Sequence, residues 1–151
     1  MIIYRERLWP TAWLYISTAL VIPASILVFM PINIFVGFVT AAVLYGGIVL
    51  FLLWSAPTIE VDDSELRAGR ARLPIALIGE VSAFNDAEAT LERGQRLDAR
   101  AWLMIRGWVA PVAKLEVVDE GDPTPYWLLS SRTPELLAEA IAQSKLRTPG
   151  R

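Results

Sequence analysis

The sequence predicts a membrane α-helical hairpin of two transmembrane (TM) helices, followed by an α+β or mainly-β domain. First, the 52 residues from Leu8 to Ile59 contain no Asp, Glu, Lys or Arg. Second, 54% of the 151 residues are hydrophobic and the mean hydropathy is +0.43, whereas soluble chains usually carry about 45–50% apolar residues. Third, strand-sized segments with turn signals between them follow the uncharged run. A soluble single domain is excluded.

Composition also removes several classes of chemistry. The chain has no Cys, so disulfides, thiolate nucleophiles and Cys-ligated zinc are excluded. It has no His, which is the commonest metal ligand and the commonest general base near neutral pH. The glycine fingerprint of dinucleotide-binding proteins and the phosphate-binding loop are both missing. We therefore expect no metal, no cofactor and no catalytic residue, and a net charge of −2 argues against a nucleic-acid partner.

The uncharged run suits two spans, because roughly 20 residues cross the hydrocarbon core of a bilayer. Pro31 and Asn33 disfavour a continuing helix and mark the turn between the two. We place the first helix at about 9–29 and the second at about 34–55, within an N-terminal hairpin of residues 1–57. A cleavable signal peptide is the competing interpretation, but the apolar core is too long and no A-x-A-like site follows it.

Two features of the predicted helices concern packing. Pro23 lacks the N–H that would bond Ala19 and predicts a kink, which is either a hinge or ligand site or a tolerated membrane proline. Small residues spaced four apart on the second helix let a neighbouring backbone approach. The neighbour is the first helix, a second copy of the chain or a foreign membrane protein. These helix-packing residues are Gly37, Ala41, Ala42 and Gly46.

Flanking residues predict the orientation. Trp9, Trp13 and Trp54 lie at the ends of the helices that share one leaflet, where Trp anchors at the headgroups. The turn has no Lys or Arg, whereas five arginines flank the hairpin, so both termini are expected in the cytoplasm. These arginines are Arg5, Arg7, Arg67, Arg70 and Arg72.

Residues 58–147 predict a cytoplasmic domain, with 148–151 as a tail. The final helix, at 133–146, has Thr133 as N-cap and Pro134 in its first position. Residues 85–100 form either a loop or a frayed helix. Strands are predicted at 58–61, 65–68, 70–73, 75–84 (bent near Gly79), 101–106, 109–118 and 126–131. This order matches a pleckstrin-homology-like (PH-like) barrel by analogy, and more generally an antiparallel sheet with one covering C-terminal helix.

Two clusters are candidate binding surfaces. Arg67, Arg70 and Arg72 follow the second helix closely and are candidate contacts for anionic lipid headgroups. The alternative is a solvated face on which they pair with neighbouring acids. Trp102, Arg106 and Trp108 would share one strand face and form either a cation–π ladder and partner surface or an ordinary packing contact.

Catalytic alternatives are weak. Ser130, Ser131 and Lys114 would have to act without His, and nothing in their spacing recommends them. The acidic run at 119–122 lacks the spacing of a calcium loop and is better explained as a turn.

Five segments together resemble an actinobacterial family of two-span membrane proteins, domain-of-unknown-function family 3093. They are YRERLWP at 4–10, SAPTIEV at 55–61, ELRAGRARLP at 65–74, WLMIRGWV at 102–109 and DPTPYWLLSSRTPE at 122–135. The resemblance implies an integral membrane protein of high-GC, Gram-positive bacteria with no assigned activity, and it transfers no catalytic residue.

The sequence leaves three functional hypotheses. The first is a non-catalytic accessory or scaffold subunit of an inner-membrane assembly that serves the cell envelope or respiration. The second is a module that senses anionic lipid through Arg67, Arg70 and Arg72. The third is a membrane enzyme acting on a lipid substrate, which would require a deep pocket holding carboxylates with perturbed pKa values.

Overall fold

The computed structural model describes residues 1–147, so the predicted tail at 148–151 lies outside the described residues. The chain divides into two compact units. The helical unit is Trp9–Ala56, and the mixed unit combines Met1–Leu8 with the chain from Pro57 onward. This differs from the boundary at residue 57 that the sequence suggested, because the first eight residues belong with the C-terminal part.

The helical unit contains α1 (Ala12–Thr18), α2 (Val21–Phe29) and α3 (Ile34–Trp54). The first predicted helix is interrupted at Ala19, one turn before Pro23. Pro23 cannot donate to the Ala19 carbonyl and its ring crowds that group, so the Ile22 amide donates to it instead at 3.0 Å. The expected kink is therefore present as a break between α1 and α2.

Helix α3 coincides with the second predicted helix to within a residue at its C-terminal end. Asn33 caps it, because the Asn33 side-chain oxygen accepts hydrogen bonds from the amides of Phe35 at 2.9 Å and Val36 at 3.4 Å. Residues 1–147 contain two helical stretches long and apolar enough to cross a membrane, Ala12–Phe29 and Ile34–Trp54.

The mixed unit begins with a four-stranded antiparallel sheet, sheet A. Its strands lie side by side in the order in which they occur in the chain. The first and the second strand are paired, although the whole helical unit separates them in sequence. The strands are β1 (Tyr4–Arg7), β2 (Thr58–Val61), β3 (Glu65–Ala68) and β4 (Ala71–Pro74). Residues alternate between a buried and an outward face, as a half-buried sheet requires.

Sheet B follows a 3₁₀ turn at Ile75–Leu77 and has the order β5-β7-β8-β6. Its register shifts between Ile78 and Val81, around Gly79, where the sequence predicted a bend. The strands are β5 (Ile78–Phe84), β6 (Trp102–Met104), β7 (Val112–Val117) and β8 (Tyr126–Ser130).

Sheet B is mixed, and this corrects the purely antiparallel sheet that the sequence predicted. Strand β6 pairs in parallel with β8 and lies on the side of β8 opposite to β7. The register sets Trp102 opposite Trp127, and their ring centroids are 4.1 Å apart. Stacking of the two large rings favours this pairing over a hairpin between β6 and β7.

Two helices complete the mixed unit, α4 (Asp86–Arg93) and α5 (Pro134–Arg147). Helix α4 decides the open alternative at 85–100 in favour of a helix followed by turns. Helix α5 is the expected covering helix, with one buried stripe that packs against residues from both sheets. The coarse prediction of apolar N-terminal helices, β-sheets and a C-terminal helix is confirmed.

Candidate functional site

The three arginines that the sequence indicated lie on the β3–β4 hairpin. Arg67 on β3 is the register partner of Arg72 on β4, and Arg70 is in the turn between the strands. The turn depends on Gly69, whose φ of +61° is in the left-handed region that side chains disfavour. Alternation then directs Arg67 and Arg72 to the outward face of sheet A.

The N-terminal strand adds two more arginines to the same face. Arg5 is the register partner of Glu60, which in turn pairs with Arg67, so one row crosses all four strands. Arg7 is paired with Thr58 and is also exposed. We call this surface the arginine face: Arg5, Arg7, Arg67, Arg70 and Arg72.

Carboxylates on this face pair with several of the arginines. Arg5 Nε is 3.0 Å from Glu60 Oε1. The Arg67 Nε–H donates to Glu65 Oε1, and Arg72 Nη1 lies 3.7 Å from the same oxygen. The hydrogen bond that Arg67 donates to Glu65 raises the pKa of Arg67 above its ordinary value. The predicted alternative of a solvated, ion-paired face is therefore part of what the structure shows.

Asp62 lies just after β2, at the end of the arginine face away from Arg7, and it orders the turn between β2 and β3. Its carboxylate accepts hydrogen bonds from the Ser64 amide, the Ser64 hydroxyl and the Glu65 amide, each at 2.8 Å. Burial acts to raise the pKa of Asp62, but these hydrogen bonds, together with Arg67 nearby, outweigh it and lower the pKa.

Charge is separated along the strands of sheet A. At one end lie Arg7, its partner Thr58 and Arg70, and the Gly69 amide donates to the Thr58 carbonyl at 2.8 Å. This is the end at which the chain continues into residues 9–56 and returns from them. The acidic turn after β2 lies at the other end. We call the first end the basic end of the sheet.

An open concavity of about 470 Å³ lies on the arginine face. Three arginines line it, so several guanidinium N–H groups point toward one region. Guanidinium groups bind phosphate and carboxylate oxygens through paired hydrogen bonds, which makes the concavity suited to an anion. Its lining residues are Thr58, Glu60, Arg67, Gly69, Arg70 and Arg72.

Glu6 fastens β1 to the rest of the mixed unit. Its carboxylate accepts hydrogen bonds from the Ser131 hydroxyl at 2.6 Å, the Tyr4 hydroxyl at 2.8 Å and the Arg132 amide at 2.8 Å. The Tyr4 hydroxyl also contacts the Thr133 hydroxyl at 2.8 Å, and burial raises the pKa of Tyr4. These contacts hold the strand that carries Arg5 and Arg7.

The predicted Trp–Arg–Trp ladder is not formed. Strand β6 ends at Met104, so Arg106 and Trp108 lie in the following turn rather than on a continued strand face. Trp102 stacks on Trp127, and the Trp108 indole N–H donates to the Leu8 carbonyl at 3.1 Å. Both Trp102 and Trp108 are partly buried against the core, which is the packing alternative.

Candidate catalytic side chains have structural surroundings. Ser130 and Ser131 are fully buried, and the Ser130 hydroxyl accepts a hydrogen bond from the Arg106 amide at 2.9 Å. Lys114 donates to the buried carboxylate of Glu92 at 2.9 Å. Within residues 1–147 no group of three acidic residues is placed to hold a metal ion.

A second open groove, of about 390 Å³, lies on the outward face of sheet B. Two of the side chains that line it are carboxylates, those of Glu80 and Glu116. The Glu80 amide donates to Glu116 Oε2 at 3.3 Å, so one carboxylate oxygen is already bound by the sheet itself. The groove is open rather than deep, unlike the pocket that the lipid-enzyme hypothesis requires.

The helix-packing residues fall into two sets. Gly37 faces α2 closely, since a Cβ added there would lie 3.1 Å from the Ile26 Cα, and Ala41 is buried. A Cβ added at Gly46 would meet nothing within 4 Å, and Ala42 is exposed. The pair of Gly37 and Ala41 therefore serves the packing of α2 on α3, whereas Ala42 and Gly46 are open.

The predicted interfacial anchors are exposed in the helical unit. Trp9 is 44% exposed, Trp13 is 73% exposed and Trp54 is 89% exposed. Such exposure of the largest apolar side chain is unusual in water and common where a bilayer surface meets a helix end.

Reasoning from the sequence missed the share of β1 in the site. The sequence alone predicts Arg5 and Arg7 as residues that flank a helix, and it indicates no role for Glu6. The signal that could have found the strand is the alternation within Tyr4–Arg7, where Tyr4 and Glu6 face inward and the two arginines face outward. The segment is only four residues long, and its partner strand is about 50 residues away, so local pattern alone does not reveal it.

These units define a protein with an apolar helical segment inserted between the first and second strands of an α+β unit, which carries an arginine-rich face. The chain belongs to a family described as "Protein of unknown function (DUF3093)", whose model matches residues 3–141. No curated protein and no solved structure matches the chain.

Proposed function

We propose that this chain is a non-catalytic, two-span protein of a bacterial plasma membrane and acts as an accessory or scaffold subunit of a cell-envelope or respiratory assembly. The mixed unit would lie on the cytoplasmic side with both termini. The proposal rests on one observation. Strand β1, which precedes the helical unit in sequence, pairs with β2, which follows it, and the apolar surface of the helices between them is mostly uncovered.

The uncovered surface supports membrane insertion. In α1 and α2 only Ser25 is buried, and in α3 only Gly37, Ala41 and Leu52 are. A core helix of a soluble protein would be mostly buried, because exposed apolar surface is unfavourable in water by about 25 cal/mol per Å². Hydrocarbon removes this cost, and helices satisfy their own backbone groups there.

The β1–β2 pairing supports two crossings rather than one. Arg7 is the register partner of Thr58, so the chain leaves the mixed unit and returns to it at neighbouring points. An even number of spans returns a chain to the same side of a membrane. Arg5, Arg7 and the arginines of the β3–β4 hairpin favour the cytoplasmic side.

The order of strands supports a PH-like description of the mixed unit. A four-stranded meander is followed by β5, β7 and β8, which pair antiparallel, and then by helix α5. Strand β6 and helix α4 are additions to this pattern. The description concerns architecture only and carries no ligand.

The open pair of small residues supports association within the membrane. Ala42 and Gly46 form a small-xxx-small pair that the hairpin does not use for its own packing. Such pairs let helices approach closely, and van der Waals packing then favours association. We place the partner contact here rather than at Trp102 and Trp108, which are engaged in the mixed unit. The partner is another membrane protein or a second copy of the chain.

Insertion and orientation can be tested together, because the chain has no Cys and each introduced thiol is unique. We expect Ile32→Cys, in the turn between α2 and α3, to react with an impermeant maleimide on intact cells. Glu120→Cys, in an exposed loop of the mixed unit, should react only after lysis. The reverse pattern, or release of the protein from vesicles by carbonate, would contradict the proposal.

The accessory role is tested by purification in a mild detergent. We expect the wild-type chain to be recovered with a membrane partner or as an oligomer, and Gly46→Leu to reduce that association. We expect this substitution to leave the packing of α2 on α3 intact, because a Cβ added at Gly46 would meet nothing within 4 Å. Recovery of the wild-type chain only as a partner-free monomer would count against an accessory role.

A second candidate function is recognition of anionic lipid. The specific observation that favours it is the gathering of five arginines on one face of sheet A.

A further inference from the structure

We propose that the arginine face binds anionic phospholipid headgroups of the bilayer in which the helical unit is inserted. The inference rests on the proposed membrane insertion and names the ligand class of the surface: a phosphate-bearing, negatively charged headgroup. It also assigns Arg5 and Arg7, which reach the surface only because β1 joins sheet A.

The number of arginines is the first step. Lipid recognition typically uses clusters of four to eight basic residues. The β3–β4 hairpin alone supplies three, which is too few. Strand β1 raises the number to five, opposed by Glu60, Asp62 and Glu65. The face therefore keeps an excess of positive charge after its ion pairs are counted.

The position of the charges is the second step. Arg7 precedes the first residue of the helical unit by two positions, and Arg70 lies at the same basic end of sheet A. Residues along a strand rise about 3.3 Å each, so Arg5 and Arg72 lie about 7 Å further from this end. Asp62, beyond β2, is more distant still.

Screening limits how far each charge acts. The Debye length is about 8 Å at physiological ionic strength, so exposed charges further than that from a headgroup contribute little. Arg7 is two residues from Trp9, where the helical unit begins, and two residues of extended chain span about 7 Å. The chain itself therefore keeps Arg7 within about one Debye length of the start of the helical unit.

The chemistry of the concavity is the third step. Arg67, Arg70 and Arg72 line one open space of about 470 Å³, and within residues 1–147 Arg70 forms no ion pair. A guanidinium group holds phosphate oxygens through two parallel hydrogen bonds. Exposed backbone or hydroxyl groups add little specificity here, so we expect selection by headgroup charge rather than by headgroup shape.

The test uses the full chain in nanodiscs of phosphatidylcholine mixed with phosphatidylglycerol. The measurement is the association of spin-labelled phosphatidylglycerol relative to spin-labelled phosphatidylcholine. We expect the wild-type chain to prefer phosphatidylglycerol, and Arg7→Gln with Arg70→Gln to lower that preference by about fivefold for each arginine removed. The preference should also fall toward unity near 1 M salt, where the Debye length is about 3 Å.

Two controls separate this surface from general charge. Arg93→Gln with Arg100→Gln removes the same charge from the segment around the end of α4 and should leave the preference unchanged. Arg7→Lys with Arg70→Lys keeps the charge and should retain most of the preference. Arg93 and Arg100 are both outside sheet A.

The outcomes are distinguishable from those of the proposed function. A chain that inserts but shows equal association of both lipids, or an equal loss for both glutamine pairs, overturns the inference and leaves the two-span protein standing. Arginine variants that keep the lipid preference but lose a co-purifying protein would reassign the face to a protein partner and also overturn it. A chain that fails to insert contradicts the proposed function itself.

Discussion

Leu8 provides a sharp test of the split mixed unit. It begins the uncharged run, so a helix flank at the membrane would leave its side chain without a structural role. In the structure Leu8 is 0% exposed and belongs to the main core, its amide donates to the Pro57 carbonyl at 2.9 Å, and its carbonyl accepts from the Trp108 indole. We predict that Leu8→Ala destabilises the mixed unit strongly.

The magnitude follows from burial. Leu→Ala removes the equivalent of about three methylene or methyl groups at about 0.8 kcal/mol each, and the residual cavity adds to that loss. We expect a decrease of about 3 kcal/mol in the free energy of unfolding. Domains of this size are stable by about 5–15 kcal/mol, so the change is a large share of the total.

The assay needs the mixed unit without the helices. Because the Leu8 amide lies 2.9 Å from the Pro57 carbonyl oxygen, a short Gly/Ser linker can replace residues 9–56 and join the two parts. Urea unfolding followed by Trp fluorescence then gives the free energy for the linked protein and its Leu8→Ala variant. Leu146→Ala is the matched control, since that leucine is 82% exposed.

A loss below about 1 kcal/mol for Leu8→Ala, similar to that for Leu146→Ala, would refute the placement of the N-terminal segment in the core. A chain of residues 57–151 alone that unfolds at the same urea concentration as the linked protein would refute it independently. The sequence-derived boundary at residue 57 predicts that second result, and the structure predicts the opposite.

Other measurements address three further contacts. Lys114→Met should lower the free energy of unfolding by about 2 kcal/mol, because it leaves the buried carboxylate of Glu92 with only the longer contact to Arg96. Adding Glu92→Met should recover part of that loss. Strictly additive losses in a double-mutant cycle would exclude coupling between the two residues. Gly37→Leu should lower the thermal stability of the full chain in detergent and Gly46→Leu should not, since only the first meets α2; equal effects would exclude close helix packing at Gly37. The lowered pKa of Asp62 contributes stability that is present above about pH 4 and is lost as the pH falls through the folded-state pKa. In urea titrations, the difference in free energy of unfolding between wild type and Asp62→Asn should therefore shrink below pH 4. A difference that stays constant with pH would contradict this.

Local chemistry made part of this fold predictable. Pro31 and Asn33 interrupt the apolar run and disfavour a continuous helix there, and Asn33 is the cap of α3. Thr133 and Pro134 likewise mark the start of α5. Signals of this kind depend on neighbours a few residues away, so the sequence alone expresses them.

The remainder depends on contacts between distant residues. Segment Tyr4–Arg7 forms a strand because β2 pairs with it and because the Ser131 hydroxyl donates a hydrogen bond to Glu6. Neither partner is near it in the sequence. The parallel placement of β6 likewise depends on the meeting of Trp102 with Trp127. For the candidate site, the arginines of the β3–β4 hairpin could be predicted from their position soon after the second helix, although Arg70 lies in the turn and not on a strand. The place of Arg5 and Arg7 on β1 could not be predicted.

The same long separation bears on how the mixed unit is completed. Closing a flexible loop of about 50 residues costs about 3.5 kcal/mol by the (3/2)RT ln n relation, which is comparable to what burial of Leu8 contributes. If the chain inserts as the proposed two-span hairpin, the bilayer returns β2 to the side from which β1 departs and removes most of this cost. We therefore expect membrane insertion to favour the docking of β1, which brings Arg5 and Arg7 to the arginine face. A short linker in place of residues 9–56 would favour the same docking without a membrane, because it closes a much shorter loop.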